Sequence, residues 1–369
     1  MTEPSAASIS AAIDLTEKAL IICLGPGGVG KTTIAAALAL EAAVAGRSVD
    51  VMTIDPAPRL LDTLGLKNRP ARPYDVPLAA LHPRRGGRLR ALRLDPKRMF
   101  DQLIESHAPS PAARDAILGN QIYRGLSEAL AGVADYMAAE QLLDLRREGA
   151  SDLIVLDTPP AQEALEFLDA PRRMLELLSS RALTLLGASR EIVRGLGILD
   201  YAARAVLRAF DRLTGLHLLD EVQAFVRSFD GMYAGFAERA SRVQALIREP
   251  TSTLLLVTMA EAQRTEQTLD FASALDRLGL RAGGLIVNRV MGPLPEREEL
   301  RRARLPARLK QKLERNLADL RALNARETAS LEKLHQIADG MPMLMATDLG
   351  IEPRSLKDLV RIAHSLRLA

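Results

Sequence analysis

A single cysteine, Cys23, stands in 369 residues. One thiol forms no disulfide within the chain and no paired-cysteine zinc clasp. It lies in an apolar run, where a small buried core residue is the expected role. Tryptophan is absent and aromatic side chains make up 3% of the chain, too few for base-stacking platforms that hold nucleic acid. The five histidines, His82, His107, His217, His335 and His364, show no metal-ligand spacing. No stretch approaches the roughly 18 apolar residues of a membrane span. The run IAAALALEAAVA is short, is broken by Glu41, and reads as a buried helix. The opening MTEPSAASISAAIDLTEK carries Glu3 and lacks the basic-then-apolar order of a secretory signal. Charge is nearly balanced at +3, so no nucleic-acid partner is expected. Together these absences predict a cytoplasmic protein.

What remains is the composition of a globular chain, 48% hydrophobic and 26% charged, long enough for one large domain or a domain with an insertion. Short apolar runs bounded by Gly, Asp or Pro alternate with helical patterns. ALIICLG (19–25), SVDVMTID (48–55), LRALRLD (89–95), DLIVLDTPP (152–160), STLLLVTMA (252–260), GGLIVNRV (283–290) and PMLMAT (342–347) read as strands. Continuous apolar runs ending in polar residues suit strands covered on both faces, and the helices between them predict a doubly wound, mostly parallel α/β sheet. The segment 65–88, rich in Pro, Gly and Arg, reads as a solvated connection. Two long stretches, about 98–148 and 161–250, lack strand signals. Ile122, Leu126, Leu130, Val133 and Met137 fall at helical spacing, as do Val222, Phe225, Phe229, Met232 and Phe236. Leucines broken by glycines fill Met174 to Phe210. The reading is a helical subdomain, residues 98–150 and 171–249, inserted into a sheet domain of residues 1–97, 151–170 and 250–369. Residues 296–335 read as a solvated, charged helix or helix pair.

The stretch LGPGGVGKTT (24–33) carries the chemistry. Gly25, four residues, then Gly30, Lys31 and Thr32 satisfy the GxxxxGK[ST] pattern between a strand and a helix. Glycines let successive N–H groups point at phosphate, and the helix N-terminus adds a favourable dipole. Lys31 is placed for the β- and γ-phosphates, Thr32 for Mg²⁺ and Thr33 for the α-phosphate. Pro26 lacks an N–H, but Gly27, Gly28, Val29 and Gly30 still donate, so binding should survive. Asp55, closing the second strand in IDPAPRL, could orient an attacking water. Asp157, in DTPP, stands where a carboxylate holds Mg²⁺ through water. Turn or helix-cap duty is the alternative for both. Asn288 could read adenine through its amide, and Arg289 follows it in the candidate nucleotide-binding set.

In this order the segments GPGGVGKTT, TIDPAPRL, LRLDP, DTPPAQEALEFLDAP, LLLVTMAEAQRTEQTL, LIVNRV and MPMLMATDLG resemble the ArsA family. That family comprises arsenite-pump ATPases and the ATPase that guides tail-anchored membrane proteins, within the deviant (SIMIBI-type) P-loop NTPases. The resemblance covers nearly the whole chain and is closest to bacterial ArsA-like proteins with DTPP followed by FLDAP. It implies ATP/ADP and Mg²⁺ as ligands, with Thr32, Asp55 and Asp157 at the metal. It implies Asp55 as the first-switch aspartate, Asp157 as the second, Asn288 as the adenine reader, and Met345–Asp348 beside the base. The helical insertion would face hydrophobic clients.

Two departures carry consequences. The deviant group has a signature lysine where this chain has Pro26, and a cation reaching across a dimer in that way is worth roughly 10³–10⁵ in rate. Slow hydrolysis, another basic residue such as Arg59, or a partner subunit's charge would follow. The cysteines for arsenite and for an interfacial zinc are missing, so arsenite stimulation is not expected and any dimer closes without zinc. The preferred reading is a Mg-dependent ATPase acting as a homodimeric or heterodimeric switch for a hydrophobic protein segment or a membrane complex. A nucleotide-gated scaffold with little turnover is the second reading. A small-molecule kinase lacks an acceptor site, and a partition-type ATPase lacks such long helical stretches. The insertion's apolar residues are equally open to a simpler use, as its own core.

Overall fold

The computed structural model describes residues 17–55, 57, 59–66, 73–120, 131–179, 232–338 and 340–368. The chain divides into two compact units. The first is Met1–Leu94, Glu148–Leu165 and Ile247–Ala369; the second is Asp95–Arg147 and Glu166–Leu246.

The first unit is built on strands β1 (Leu20–Leu24), β2 (Ser48–Thr53), β3 (Tyr74–Asp75), β4 (Arg88–Arg93), β5 (Leu153–Asp157), β6 (Ser252–Met259), β7 (Gly284–Val290), β8 (Met343–Thr347) and β9 (Leu366–Leu368). They form one sheet in the order β3-β4-β2-β5-β1-β6-β7-β8-β9. The pairings from β4 to β8 are parallel, and the two edge strands are antiparallel. LIICL in β1 and LIVLD in β5 are buried at every position, which parallel strands covered on both faces demand. Helix α1 (Lys31–Val44) is rich in alanine and buried nearly all round, and its small side chains let it sit close to the sheet. It packs against β2 and β5 and against the late helix Leu356–Ser365. The fold is thus a doubly wound α/β sheet of the P-loop NTPase type, and it places the C-terminal ends of β1, β2, β5, β6 and β7 beside one another.

The segment 65–88 departs from the solvated connection that its composition predicts. Leu66, Val76 and Leu78 are buried, and Tyr74–Asp75 pairs antiparallel with β4. Two residues are too few to show a period-2 pattern, so tertiary pairing decides the strand. The same holds for β9, which closes the opposite edge on β8. An exposed edge invites pairing with other chains, and a short antiparallel strand covers it. The neighbouring pair of Arg90 with Asp50 joins β4 to β2 by two bonds of 2.6 and 2.5 Å, with Asp50 buried.

The short helix α2 (Arg59–Thr63) belongs to the first unit, and the second unit is built from α3 to α7. Helices α3 (Pro96–His107) and α4 (Pro111–Gly119) each start on a side-chain cap followed by proline. Asp95 accepts from the Arg98 N–H at 3.1 Å, and Ser110 from the Ala113 N–H at 3.1 Å. With α5 (Ala131–Glu148), α6 (Ala161–Leu178) and α7 (Tyr233–Arg248) they supply a core of Leu103, Ile104, Ile117, Tyr136, Met137, Ala170, Met232 and Phe236. Met137, Met232 and Phe236, noted for their helical spacing, therefore go to the unit's own core. Ile122, Leu126, Leu130, Val222, Phe225, Phe229, and the span from residue 180 to Phe210, lie outside the described residues, as does the side chain of Val133.

A buried polar network crosses this core. The Tyr136 hydroxyl donates to Glu140, and Arg239 donates to Glu140 and, at 2.6 Å, to Asp144. Burial pushes the Glu140 carboxyl upward, opposed by the hydroxyl and the guanidinium. Tyr136→Phe removes one donor from a buried carboxylate. It should lower unfolding stability by about 2 kcal/mol in a denaturant titration, because a bond to a charged group is lost without a replacement.

Candidate functional site

The phosphate loop joins β1 to α1, and its shape follows from two glycines. Gly25 has φ 143°, and a Cβ on it would stand 2.1 Å from the Val257 carbonyl oxygen of β6. Gly30, at φ 91°, is the N-cap of α1, and a Cβ there would meet the Asn288 amide nitrogen at 2.3 Å. Only glycine fits both positions. No side chain caps α1, so the N–H groups of its first turn are free to meet an anion. Lys31 is buried, and its ammonium donates to the carbonyls of Gly25 and Pro26, both at 2.9 Å. An ammonium has three donors, so one N–H is left over. Pro26 thus acts through its carbonyl, and its missing N–H costs the loop nothing. Burial lowers the Lys31 pKa, and the charges of Asp157 and Asp55 partly restore it.

Beneath the loop, Asp157 ends β5. Its Oδ2 accepts from the Thr32 hydroxyl at 2.8 Å and from the Thr53 hydroxyl of β2 at 3.1 Å. Its Oδ1 is buried with no hydrogen-bond partner. Burial pushes this carboxyl up to about 6, while the two hydroxyls and Lys31 pull it down. A buried carboxylate oxygen without a donor, beside a threonine hydroxyl and a lysine, fits a hard cation held by oxygen ligands. Cys23, next door in β1, is fully buried, and its thiol is held protonated by that burial. Its carbonyl accepts from the Thr158 hydroxyl at 2.7 Å, which ties the DTPP turn to β1.

Asp55 follows β2. Its Oδ1 accepts from the Ala57 N–H at 2.9 Å, and its Oδ2 lies 3.9 Å from an Arg59 guanidinium nitrogen. The turn duty foreseen for Asp55 is therefore present, on one oxygen only. Asn288 ends β7 and staples the phosphate loop: its amide nitrogen donates to the Val29 carbonyl at 2.8 Å, and its amide oxygen accepts from the Arg289 N–H at 3.0 Å. One amide hydrogen and one lone pair remain for any base. Arg289 adopts a left-handed conformation, φ 57°, where the β7–β8 register shifts.

The loop, Asp55 and Arg289 open into one cavity of about 620 Å³; Asp157, Thr53 and Asn288 do not line it. Gly27, Gly28, Gly30, Lys31, Thr32 and Thr33 form its floor, Asp55 and Arg59 one wall, and Arg289, Pro353 and Arg354 another. Lys31, Arg59, Arg289 and Arg354 bring positive charge to it, and Asp55, Asp62 and Glu352 negative charge, with Arg354 paired to Glu352 at 2.7 Å. A small recess of about 30 Å³ is bordered by Thr33, Asn288, Thr347, Asp348 and Leu349; Met345, expected beside the base, does not line it. Val29 is buried below the floor. The sequence had not pointed to Thr53, Thr158 or Arg354. Thr53 is a polar residue ending an apolar strand, the same signal that marks Asp157.

A strand, a glycine loop closing on a helix N-terminus, and an acidic strand end beneath it define a P-loop nucleotide-binding protein. A family-wide sequence pattern described as anion-transporting ATPase, of the ArsA type, matches residues 18–342, and the chain belongs to that family of ATPases. Among relatives, an ATPase GET3 of Malassezia globosa is 25% identical over 283 residues, 76% of this chain and 76% of its own length. An ATPase get3 of Aspergillus terreus is 31% identical over 175 residues, 46% of this chain and 47% of its own. An uncharacterised protein of Streptomyces coelicolor is 31% identical over 276 residues, 73% of this chain and 62% of its own. No helix among the described residues is long and apolar enough to cross a membrane.

Proposed function

We propose that the chain is a magnesium-dependent ATPase that works in the cytoplasm as a dimeric nucleotide switch, with turnover slowed by Pro26. The observation that carries this reading is the Asp157 carboxylate, bonded to Thr32 and Thr53 through one oxygen and left with a bare, buried second oxygen. Thr32 and Asp157 would hold the magnesium ion, which supplies charge neutralisation to the phosphate tail when bound. The N–H groups of Gly27 to Thr33 and the free N–H of Lys31 grip the phosphates. Asn288 fixes the loop from below and offers its spare amide hydrogen to adenine, with Arg289 at the ribose side. Asp55, one oxygen held by the Ala57 N–H, keeps the other to accept a proton from water.

The client is a hydrophobic protein segment or a membrane complex, and the dimer forms with a second copy or a related ATPase. A scaffold that binds nucleotide with little turnover is supported by one feature: Pro26 offers no side-chain charge to a partner's phosphates. Asp55→Asn should cut phosphate release about 100-fold with ATP affinity unchanged. Steady-state turnover and calorimetry on the same preparation test this, and turnover that survives the change rules out the role given to Asp55. ATP binding in both proteins with almost no phosphate release in either favours the scaffold.

A further inference from the structure

Four positively charged residues line the nucleotide cavity, and three of them have other work. Lys31 gives two of its three donors to the carbonyls of Gly25 and Pro26. Arg354 is paired with Glu352 at 2.7 Å. Arg289 borders the recess beside Asn288, the end proposed for the base. A fifth cation, Arg264, approaches the loop from outside the cavity. Its guanidinium lies 3.7 Å from the point where a Cβ on Gly28 would stand, and Gln267 holds it at 2.9 Å. That leaves Arg59, the first residue of α2, with a side chain 71% exposed. Among the described residues its guanidinium meets one partner, Asp55 Oδ2, at 3.9 Å. Asp62, the other acid of α2 on this wall, makes no ion pair with it. The Arg59 charge is also felt at Lys31, whose pKa it lowers while that of Asp55 raises it. Three charges therefore converge on one corner of the cavity, and one of them is a cation with a single loose contact.

We infer that Arg59 senses the third phosphate: it leaves Asp55 for the γ-phosphate oxygens of ATP, and in moving it frees Asp55 Oδ2 to take the proton from water. This rests on the proposed function and names a further residue of the same site. The exchange is favourable on chemical grounds. An exposed ion pair at 3.9 Å is screened by water and contributes little. A guanidinium meets phosphate through two parallel charge-assisted bonds, which are shorter and stronger. The tail of ADP ends at the phosphates that the loop and Lys31 already grip, so Arg59 separates triphosphate from diphosphate. Asp55 and Arg59 stand four residues apart on one short stretch, so the oxygen that Arg59 vacates is the one that needs to be free. The chemistry balances there. The water oxygen bonds to the γ-phosphorus as the bond to the bridging oxygen of ADP breaks, Asp55 accepts the proton, and Arg59 answers charge on the γ-phosphate oxygens. Arg59 thereby supplies, from within the chain, a cation that Pro26 does not.

Calorimetry, steady-state turnover and urea denaturation of the full chain test this, with Arg59→Ala and Arg59→Lys beside the unaltered protein. Arg59→Ala should weaken binding of a non-hydrolysable ATP analogue about tenfold, leave ADP affinity within about twofold, and lower kcat about 100-fold. Arg59→Lys should recover most of the affinity and part of the rate, because lysine brings the charge without the planar fork. Urea midpoints should not move in either variant, since the pair with Asp55 is exposed and weak. Equal losses of ATP and ADP affinity, turnover that survives Arg59→Ala, or a fall in stability that accompanies the lost activity overturns the inference. So does a split of ATP from ADP affinity that appears in Arg264→Ala or Arg354→Ala and not in Arg59→Ala. If Arg59→Ala changes nothing and Asp55→Asn still cuts turnover, the proposed function stands without Arg59. If the unaltered chain binds neither nucleotide, the proposed function falls and the inference with it.

Discussion

Asp157→Asn should lower ATP turnover about 10³-fold, the scale for removing one preorganised charge from a dry site, and should stabilise the nucleotide-free chain at pH 8. The two effects share a cause. Burial raises the Asp157 carboxyl to about 6 from its ordinary 3.8. A group raised in this way favours the folded state fully below its unfolded value, and that contribution disappears as pH climbs through the folded value. Above about pH 6 the ionised carboxylate costs the fold on the order of 2–3 kcal/mol. Asparagine still accepts from Thr32 and Thr53 but carries no charge. Denaturant midpoints of the two proteins should therefore coincide near pH 4 and separate through pH 6, with the variant ahead by on the order of 2 kcal/mol at pH 8. Below pH 6, magnesium affinity should fall about tenfold per pH unit, because the ion must displace a proton. Parallel stability curves across this range would show that burial does not hold the Asp157 carboxyl above its ordinary value.

Gly25→Ala should be severely damaging for the addition of a single methyl group. At φ 143° the new Cβ points at the Val257 carbonyl oxygen, 2.1 Å away, and the obstacle is backbone in the sheet's centre. Strained backbone and overpacking together cost about 4 kcal/mol, and relief requires β1 and β6 to separate or the loop to shift. Either response moves the carbonyl that holds Lys31. Urea denaturation should show the loss of stability, and calorimetry should show ATP binding weakened at least tenfold in whatever protein remains folded. Gly65→Ala is the control: a Cβ there meets nothing within 4 Å. An equal loss in both would mean that positive φ alone, not the close approach to β6, is at work.

Much of this was legible along the chain. The seven apolar runs predicted as strands are β1, β2 and β4 to β8, because a strand covered on both faces must be apolar throughout its length. The glycine loop was legible too, since its geometry is local: glycines where φ is positive, then a helix start. Asp157 and Asp55 stood out as charges ending apolar runs. The missed strands Tyr74–Asp75 and Leu366–Leu368 are two and three residues long and exist only because an edge strand offers them hydrogen bonds.

The sequence by itself determined the seven inner strands, the phosphate loop and the acidic strand ends, because each is written in neighbouring residues. Only the tertiary structure decided what those residues hold on to. Asn288 grips Val29 across 259 positions, Thr158 grips Cys23 across 135, and Thr53 reaches Asp157 across 104. Contacts of that span arise from which strands lie side by side in the sheet, and burial at those junctions, not residue type, leaves one oxygen of Asp157 without a donor.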